Sequence, residues 1–388
     1  MKDDTKIVAS GRPHNLKAHP VNAPVERAST YIFPTYDDFV EGGKAITYGR
    51  LGTPTHRALE EAVTALELGF ETRLASSGLQ ACTAAILAFV RAGDHILVAD
   101  TVYDPTRKFC DNFLERFGVE ITYYSPIAKI DDIASLVKPN TKVIFAESPG
   151  SLTFEVQDIP ALADLAHENN AVLVIDNTWG AGYFFKPLAL GADVSIQAAT
   201  KYLCGHADCL VGTLTSANEQ IAKKIFMALL QLGVNVSADD AYLTLRGIRT
   251  LSARLKRHQE NGLALAKWLA KRAEVERVIH PALKGCPGHS IWKRDFSGAS
   301  GLFAVELEPV PHSALKIFFN TLNLFSMGYS WGGFESLCIE VKPKANRTAM
   351  PWDSENPLLR VHAGLEDIND LTSDLEAAFT AMARHQTK

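Results

Sequence analysis

Ser195-Ile196-Gln197-Ala198-Ala199-Thr200-Lys201-Tyr202 begins as a short apolar strand, passes into small residues and sets a lysine where the strand runs out. Gly205-His206-Ala207-Asp208 follows as a turn. A lysine so placed stands on a rigid element and points into a crevice rather than into bulk water. Burial or a neighbouring cation strips such an amine of its proton, which frees it for Schiff-base chemistry. Taken alone, Lys201 is more simply a surface lysine at a strand end.

The segment upstream changes that reading. Ala171-Val172-Leu173-Val174-Ile175-Asp176-Asn177-Thr178-Trp179 opens with an unbroken apolar run, which predicts a strand buried on both faces of a parallel sheet. Asp176 closes this strand, 25 residues before Lys201. Pyridoxal phosphate requires that pairing: a lysine to join its aldehyde and an acid to face its protonated ring nitrogen. Without Lys201, Asp176 would read as a helix cap or turn residue. Arg73-Leu74-Ala75-Ser76-Ser77-Gly78-Leu79-Gln80-Ala81 predicts a strand, a tight turn and a helix running to about Val90. Free N–H groups at a helix start form an anion site, and glycine permits close approach. Such a turn is common by itself; in this order and spacing the three pieces agree.

From about Pro54 to Thr250 strands are expected at 95–100, 119–124, 142–147, 171–176, 193–199 and 209–216, with helices such as Pro105–Phe117 and Asp158–Asn169 between them. This alternation predicts a doubly wound, mostly parallel α/β sheet, with ligands at the carboxyl ends of its strands. Gly78, Tyr103, Asp176 and Lys201 all fall at such ends. Past Thr250 a long helical pattern leads into a smaller unit with strands near Leu302–Glu308 and Leu358–Val361 and a closing helix after Glu366. Arg360 sits there amid apolar neighbours. A charge in such surroundings needs a partner, either a substrate carboxylate or a protein acid. Residues 1–52 show no convincing periodic element and read as an arm that wraps a partner such as another subunit. The expected division is therefore 1–52, 53–248 and 249–388.

Ala75-Ser76-Ser77-Gly78, Glu147-Ser148-Pro149, Asp176-Asn177-Thr178 and Ala199-Thr200-Lys201-Tyr202 together resemble the cystathionine-processing family of pyridoxal-phosphate enzymes, over about Ala28 to Glu366. Gln197-Ala198-Ala199, Ser330-Trp331-Gly332-Gly333 and Tyr48-Gly49-Arg50-Leu51-Gly52-Thr53 are most similar to its β-eliminating branch. Aliphatic Leu229 and Leu230 depart from that branch, which has a tyrosine nearby. The resemblance implies the aspartate-aminotransferase-type fold (fold type I), with an extended N-terminal arm and a homotetramer built as a dimer of dimers. It implies catalytic roles for Lys201, Tyr103 and Tyr48. Cofactor binding would fall to Ser77, Gly78, Leu79, Tyr103, Asp176, Thr200 and Lys201, with Tyr48 and Arg50 reaching into the neighbouring subunit. Ser330, Trp331 and Arg360 would bind the substrate, Arg360 through its α-carboxylate. The implied activity is α,β-elimination of L-cystathionine to homocysteine, pyruvate and ammonia, in methionine biosynthesis. Rival readings are a γ-lyase, a γ-synthase or a broad cysteine desulfhydrase, and more remotely a non-catalytic regulator that keeps the cofactor.

Composition narrows the alternatives. The 388 residues carry a net charge of −5 with a pI near 6.2, so no basic footprint for nucleic acid is present. The longest apolar run, Ala81 to Val90, is about half a membrane span. No apolar stretch follows the acidic N-terminus, and none of the six cysteines forms a C-x-x-C pair, which together favour a reducing cytoplasm. His206 and Asp208 suggest a metal only weakly, because neither Cys204 nor Cys209 completes a zinc pattern. No metal is expected.

Overall fold

The computed structural model describes residues 1–13, 20–41 and 46–386; the stretches 14–19 and 42–45 of the expected arm lie outside the described residues. Contrary to expectation, the arm has elements of its own. Helix α1 (Asp3–Ala9) buries Ile7 completely, and a second short helix, α2, spans Tyr36–Glu41. Ion pairs from Asp3 to Lys186 (2.9 Å) and from Asp4 to Lys256 (3.0 Å) tie α1 to its own chain. Arg249 adds hydrogen bonds to the carbonyls of Ile7 and Ser10. A seven-residue helix whose three apolar residues are consecutive offers too short a period to be read from sequence. The stretch around α2 differs: Val21, Ile32, Tyr36, Phe39 and Val40 are all exposed.

Helix α3 (Pro54–Glu67) starts on Pro54, and the ring of His56 accepts the Thr53 N–H at 3.0 Å. Leu59, Val63 and Leu66 recur at one-turn spacing and are fully buried, each side chain contributing roughly 1.5–3 kcal/mol. Strand β1 (Glu71–Ala75) follows, then α4 (Gly78–Leu87), whose first turn is capped by the Ser77 hydroxyl accepting from Gln80 N–H. Strands β2 (His95–Ala99), β3 (Glu120–Tyr124), β4 (Thr141–Glu147), β5 (Val172–Asp176), β6 (Val194–Ala198) and β7 (Gly212–Ser216) complete a seven-stranded sheet in the order β1-β7-β6-β5-β4-β2-β3. β2 to β6 pair in parallel, while β7 runs antiparallel to both its neighbours. The expected helix 105–117 is α-helical only over Asp104–Phe109. It continues through a π turn at Cys110–Leu114 and a tight turn that Gly118 ends at φ +76°.

The C-terminal part holds a four-stranded sheet that is antiparallel throughout: β8 (Val275–Ile279), β9 (Leu302–Leu307), β10 (Leu337–Val341) and β11 (Leu358–His362), in the order β10-β11-β9-β8. β8 and β10 were not anticipated. Helices at Leu251–Leu269 and Ile368–Gln386 flank it, with Phe303, Phe318 and Phe379 among its core side chains. Asp100, just beyond β2, fastens this part to the large sheet. Its buried carboxylate accepts hydrogen bonds from Arg107 and from the backbone N–H groups of Thr348, Ala349 and Met350.

Candidate active site

The parallel strands end on one side of the sheet, where they open on a cavity of about 290 Å³. Tyr103 follows β2, Glu147 ends β4, Asp176 ends β5, and Thr200 and Lys201 follow β6. Ser77, Gly78 and Leu79 bring the start of α4 to the same cavity, and Trp331 and Arg360 close it from the side of the smaller sheet. Ser330 reaches the centre through its hydroxyl, which accepts a 2.8 Å hydrogen bond from Lys201 Nζ. Tyr48 and Arg50 are not brought there. Tyr48 is about half exposed, and Arg50 donates to the carbonyl of Leu230 at 3.1 Å beside a separate small hollow.

The surroundings of Lys201 control its charge. Burial, seconded by the positive charge of Arg360 and opposed by Asp176, lowers its amine to about 8. The Trp331 ring lies 5.3 Å from Nζ and packs edge-on to Tyr202. Beneath Trp331, two fully buried imidazoles, His258 and His362, sit with centroids 5.1 Å apart. The N–H of Gly332 donates to His362 Nε2 (3.1 Å), so this ring supports the Ser330–Trp331 turn. Burial lowers His258 to about 4; burial and then the charge of His258 push His362 well below the ordinary histidine range.

Asp176 is held by Thr178, whose N–H (2.9 Å) and hydroxyl (2.5 Å) both donate to Oδ1. The same hydroxyl accepts the Ala198 N–H at 2.8 Å, locking β5 to β6 beneath the cavity. Only the Cys82 thiol, 3.7 Å away, meets Oδ2 among the described residues. Burial raises this carboxyl despite Thr178. Glu147 is raised further, by burial and by the charge of Asp176, and accepts the Tyr103 N–H at 2.6 Å. Gly78 cannot be another residue: a Cβ there would stand 2.4 Å from Ala198 Cβ. The first turn of α4 consequently lies directly against the end of β6.

Arg360 projects from β11 with its guanidinium against the carbonyls of Gly328, Tyr329 and Ser330, 2.8–3.3 Å away. Among the described residues no carboxylate pairs with it, so the alternative of a protein-acid partner finds no support there. Burial lowers Arg360 to about 10. Sequence reading gave no role to Glu147, Thr178, Cys82 or the buried histidines. Thr178, two residues after a strand-end aspartate, is the one whose side-chain turn could have been anticipated. The fold also gathers Cys204, Asp208 and Cys209, with ligand atoms within 4.8 Å of one another, a cluster their linear spacing did not reveal.

The donor set fits pyridoxal phosphate. A buried carboxylate with one oxygen facing the cavity suits a protonated ring nitrogen, the α4 start suits a phosphate, and a buried, readily neutral lysine suits an aldehyde.

The sequence profile of Cys/Met metabolism PLP-dependent enzymes matches residues 4–380. The chain is 44% identical to cystathionine beta-lyase of Salmonella typhimurium over 391 residues (97% of this chain, 98% of the relative). It is 42% identical to cystathionine beta-lyase MetC of Escherichia coli over 393 residues, with the same shares covered. In three dimensions it resembles the crystal structure of metB from Corynebacterium glutamicum, with TM-score 0.91 and 31% identity over 98% of both chains.

Proposed function

The chain belongs to the Cys/Met metabolism PLP-dependent enzyme family, and from that premise we propose that it is a carbon–sulfur lyase that splits L-cystathionine by α,β-elimination. The products are homocysteine, pyruvate and ammonia. The observation that carries the reading is Lys201: a buried amine, lowered to about 8, between the carboxylate of Asp176 and the guanidinium of Arg360. Relatives of more than 40% identity named cystathionine beta-lyase support the choice of substrate and bond.

Pyridoxal phosphate, when bound, supplies a cationic ring that accepts the electron pair left at Cα. Asp176 would hold the ring nitrogen protonated, Tyr103 would lie over the ring, and Ser77, Gly78, Leu79 and Thr200 would receive the phosphate end. Arg360 would bind the substrate α-carboxylate, and Ser330 and Trp331 would shape the cavity beside it. Lys201 would take the proton from Cα and carry it to the departing sulfur, acting first as base and then as acid. Its bond to Ser330 keeps the amine within the cavity between the two transfers.

Tyr48 and Arg50 would complete the phosphate site of a neighbouring subunit, within a dimer of dimers. Their separation from the cavity of their own chain supports that arrangement, as does the exposed apolar stretch around α2. Purified enzyme given L-cystathionine should release homocysteine with pyruvate. Release of cysteine with 2-oxobutyrate would instead assign γ-elimination.

A further inference from the structure

Beyond the elimination reaction, the loop that follows Lys201 holds a second reactive group. Cys204 and Cys209 are both free and buried, with their sulfurs 2.9 Å apart. A disulfide needs ~2.05 Å between sulfurs, so closing the pair requires a shift of about 0.9 Å.

The loop holds the two thiols in place. Gly205 and Ala207 adopt positive φ (+74° and +57°), which turns the chain back on itself. The Arg254 guanidinium donates to the carbonyls of Tyr202 and Gly247, 2.7 Å each. At the base of the loop Thr200 N–H donates to Val211 O (3.1 Å) and Val211 N–H to Thr200 Oγ1 (3.0 Å). The thiols are also unequal. Cys204 is pushed up by the hydrogen bond it shares with Cys209, by burial and by Asp208, whose carboxylate accepts its S–H at 3.1 Å. Cys209 is lowered instead, through its contact with Cys204. Cys209 retains 7% exposure, and His206, Ala207, Asp208 and Leu210 around the pair are exposed.

We propose that Cys204 and Cys209 are an oxidisable dithiol that closes to an intramolecular disulfide by exchange with a small disulfide of the glutathione class. The Cys209 thiolate attacks one sulfur of the reagent, forming a mixed disulfide and expelling one small thiolate. Cys204 then loses its proton to solvent and attacks the Cys209 sulfur, expelling the second. Two protein thiols are oxidised and one small disulfide is reduced to two thiols, so electrons and protons balance. The cross-link closes immediately after the residue assigned to proton transfer, and thereby ties the reaction site to the redox state of its surroundings.

The test uses the cofactor-loaded enzyme, equilibrated with oxidised glutathione, alkylated under denaturing conditions and digested with trypsin. Both cysteines fall in one tryptic peptide, Tyr202–Lys223. That peptide should lose two hydrogens, escape alkylation and regain both alkyl groups after dithiothreitol. Cys204→Ser should stop at a single glutathione adduct on Cys209, and Cys209→Ser should give no cross-link. A wild-type peptide that stays fully alkylated would overturn the proposal, as would one that halts at the mixed disulfide. Protection of both thiols by added zinc(II) with no response to glutathione would overturn it too, and would make the cluster a metal site.

Discussion

Lys201 and Ser330, 129 residues apart in the chain, are joined by a 2.8 Å hydrogen bond, so the amine at the end of the large sheet is anchored to the turn held up by the smaller one. The position of the amine is therefore set jointly by β6, the Ser330–Trp331 turn and the His362 ring beneath that turn. Its charge is set by burial and by Arg360.

The charge can be read from cofactor uptake. An amine must be neutral to attack an aldehyde, so enzyme stripped of pyridoxal phosphate should reload faster as pH rises. The rate should climb about tenfold per pH unit below about 8 and level off above it. Arg360→Gln removes a nearby positive charge and should move the break to higher pH. A break at the ordinary lysine value in the wild-type enzyme would mean that the cavity does not depress Lys201. Lys201→Ala should lose both the visible absorption of the bound cofactor and nearly all turnover.

Asp176→Asn should retain the fold, because Asn still accepts from Thr178 N–H and hydroxyl. Turnover should nevertheless fall at least about a hundredfold, the order seen when a stabilising charge or donor is removed from a reaction site. Steady-state kinetics beside a cofactor spectrum would separate lost chemistry from lost cofactor.

Arg360 offers a planar fork from a strand, and a carboxylate gripped by that fork is fixed in direction as well as in charge. Arg360→Lys should lower kcat/KM for cystathionine by at least about tenfold, or roughly 1.4 kcal/mol. Cofactor absorption should not change. Loss of cofactor or of folding would instead make Arg360 structural, through its three carbonyl contacts.

Subunit sharing is tested by complementation. Arg50→Ala and Lys201→Ala enzymes, each inactive, should recover part of the wild-type rate once their subunits exchange, because one site of each hybrid pair then carries neither lesion. No recovery despite exchange demonstrated by mass would leave Arg50 serving its own chain.

Stability should fall in acid. His258, His280 and His362 are held neutral by burial, with His258 at about 4 and His280 at about 3. Between those values and the ordinary ~6.5 of an unfolded histidine, the unfolded chain binds more protons. The contribution of these residues is therefore complete above pH ~6.5 and declines as the pH drops toward the folded values. The thermal midpoint should decrease from pH 7 to pH 5, and His258→Asn should flatten that slope even if it lowers the midpoint overall.

The readable parts of this chain were those that depend on neighbours in sequence. The run ending in Asp176 is apolar on both faces, so its strand and its place within the sheet followed from pattern alone. Lys201 followed only from its spacing to Asp176 and the Ser77-Gly78 turn, since a strand-end lysine alone reads as a surface residue. β8 escaped notice because Val275-Glu276-Arg277-Val278-Ile279 puts two exposed charges inside a five-residue strand. β10 escaped because a short antiparallel strand beside a glycine-rich turn has no period long enough to count. The π turn at Cys110–Leu114 keeps a helical pattern and cannot be told from an α-helix by composition. His258 and His362 come from different elements, and only the packing of the long helix against the smaller sheet brings their rings together.

Asp100 limits how the molecule can take in and release its ligands. Moving the smaller sheet away from the larger would strip the buried carboxylate of Asp100 of three successive backbone donors at once. A clamshell motion would have to break that lock on every cycle. Ligand exchange is therefore expected to proceed with that lock closed and the two sheets keeping their separation.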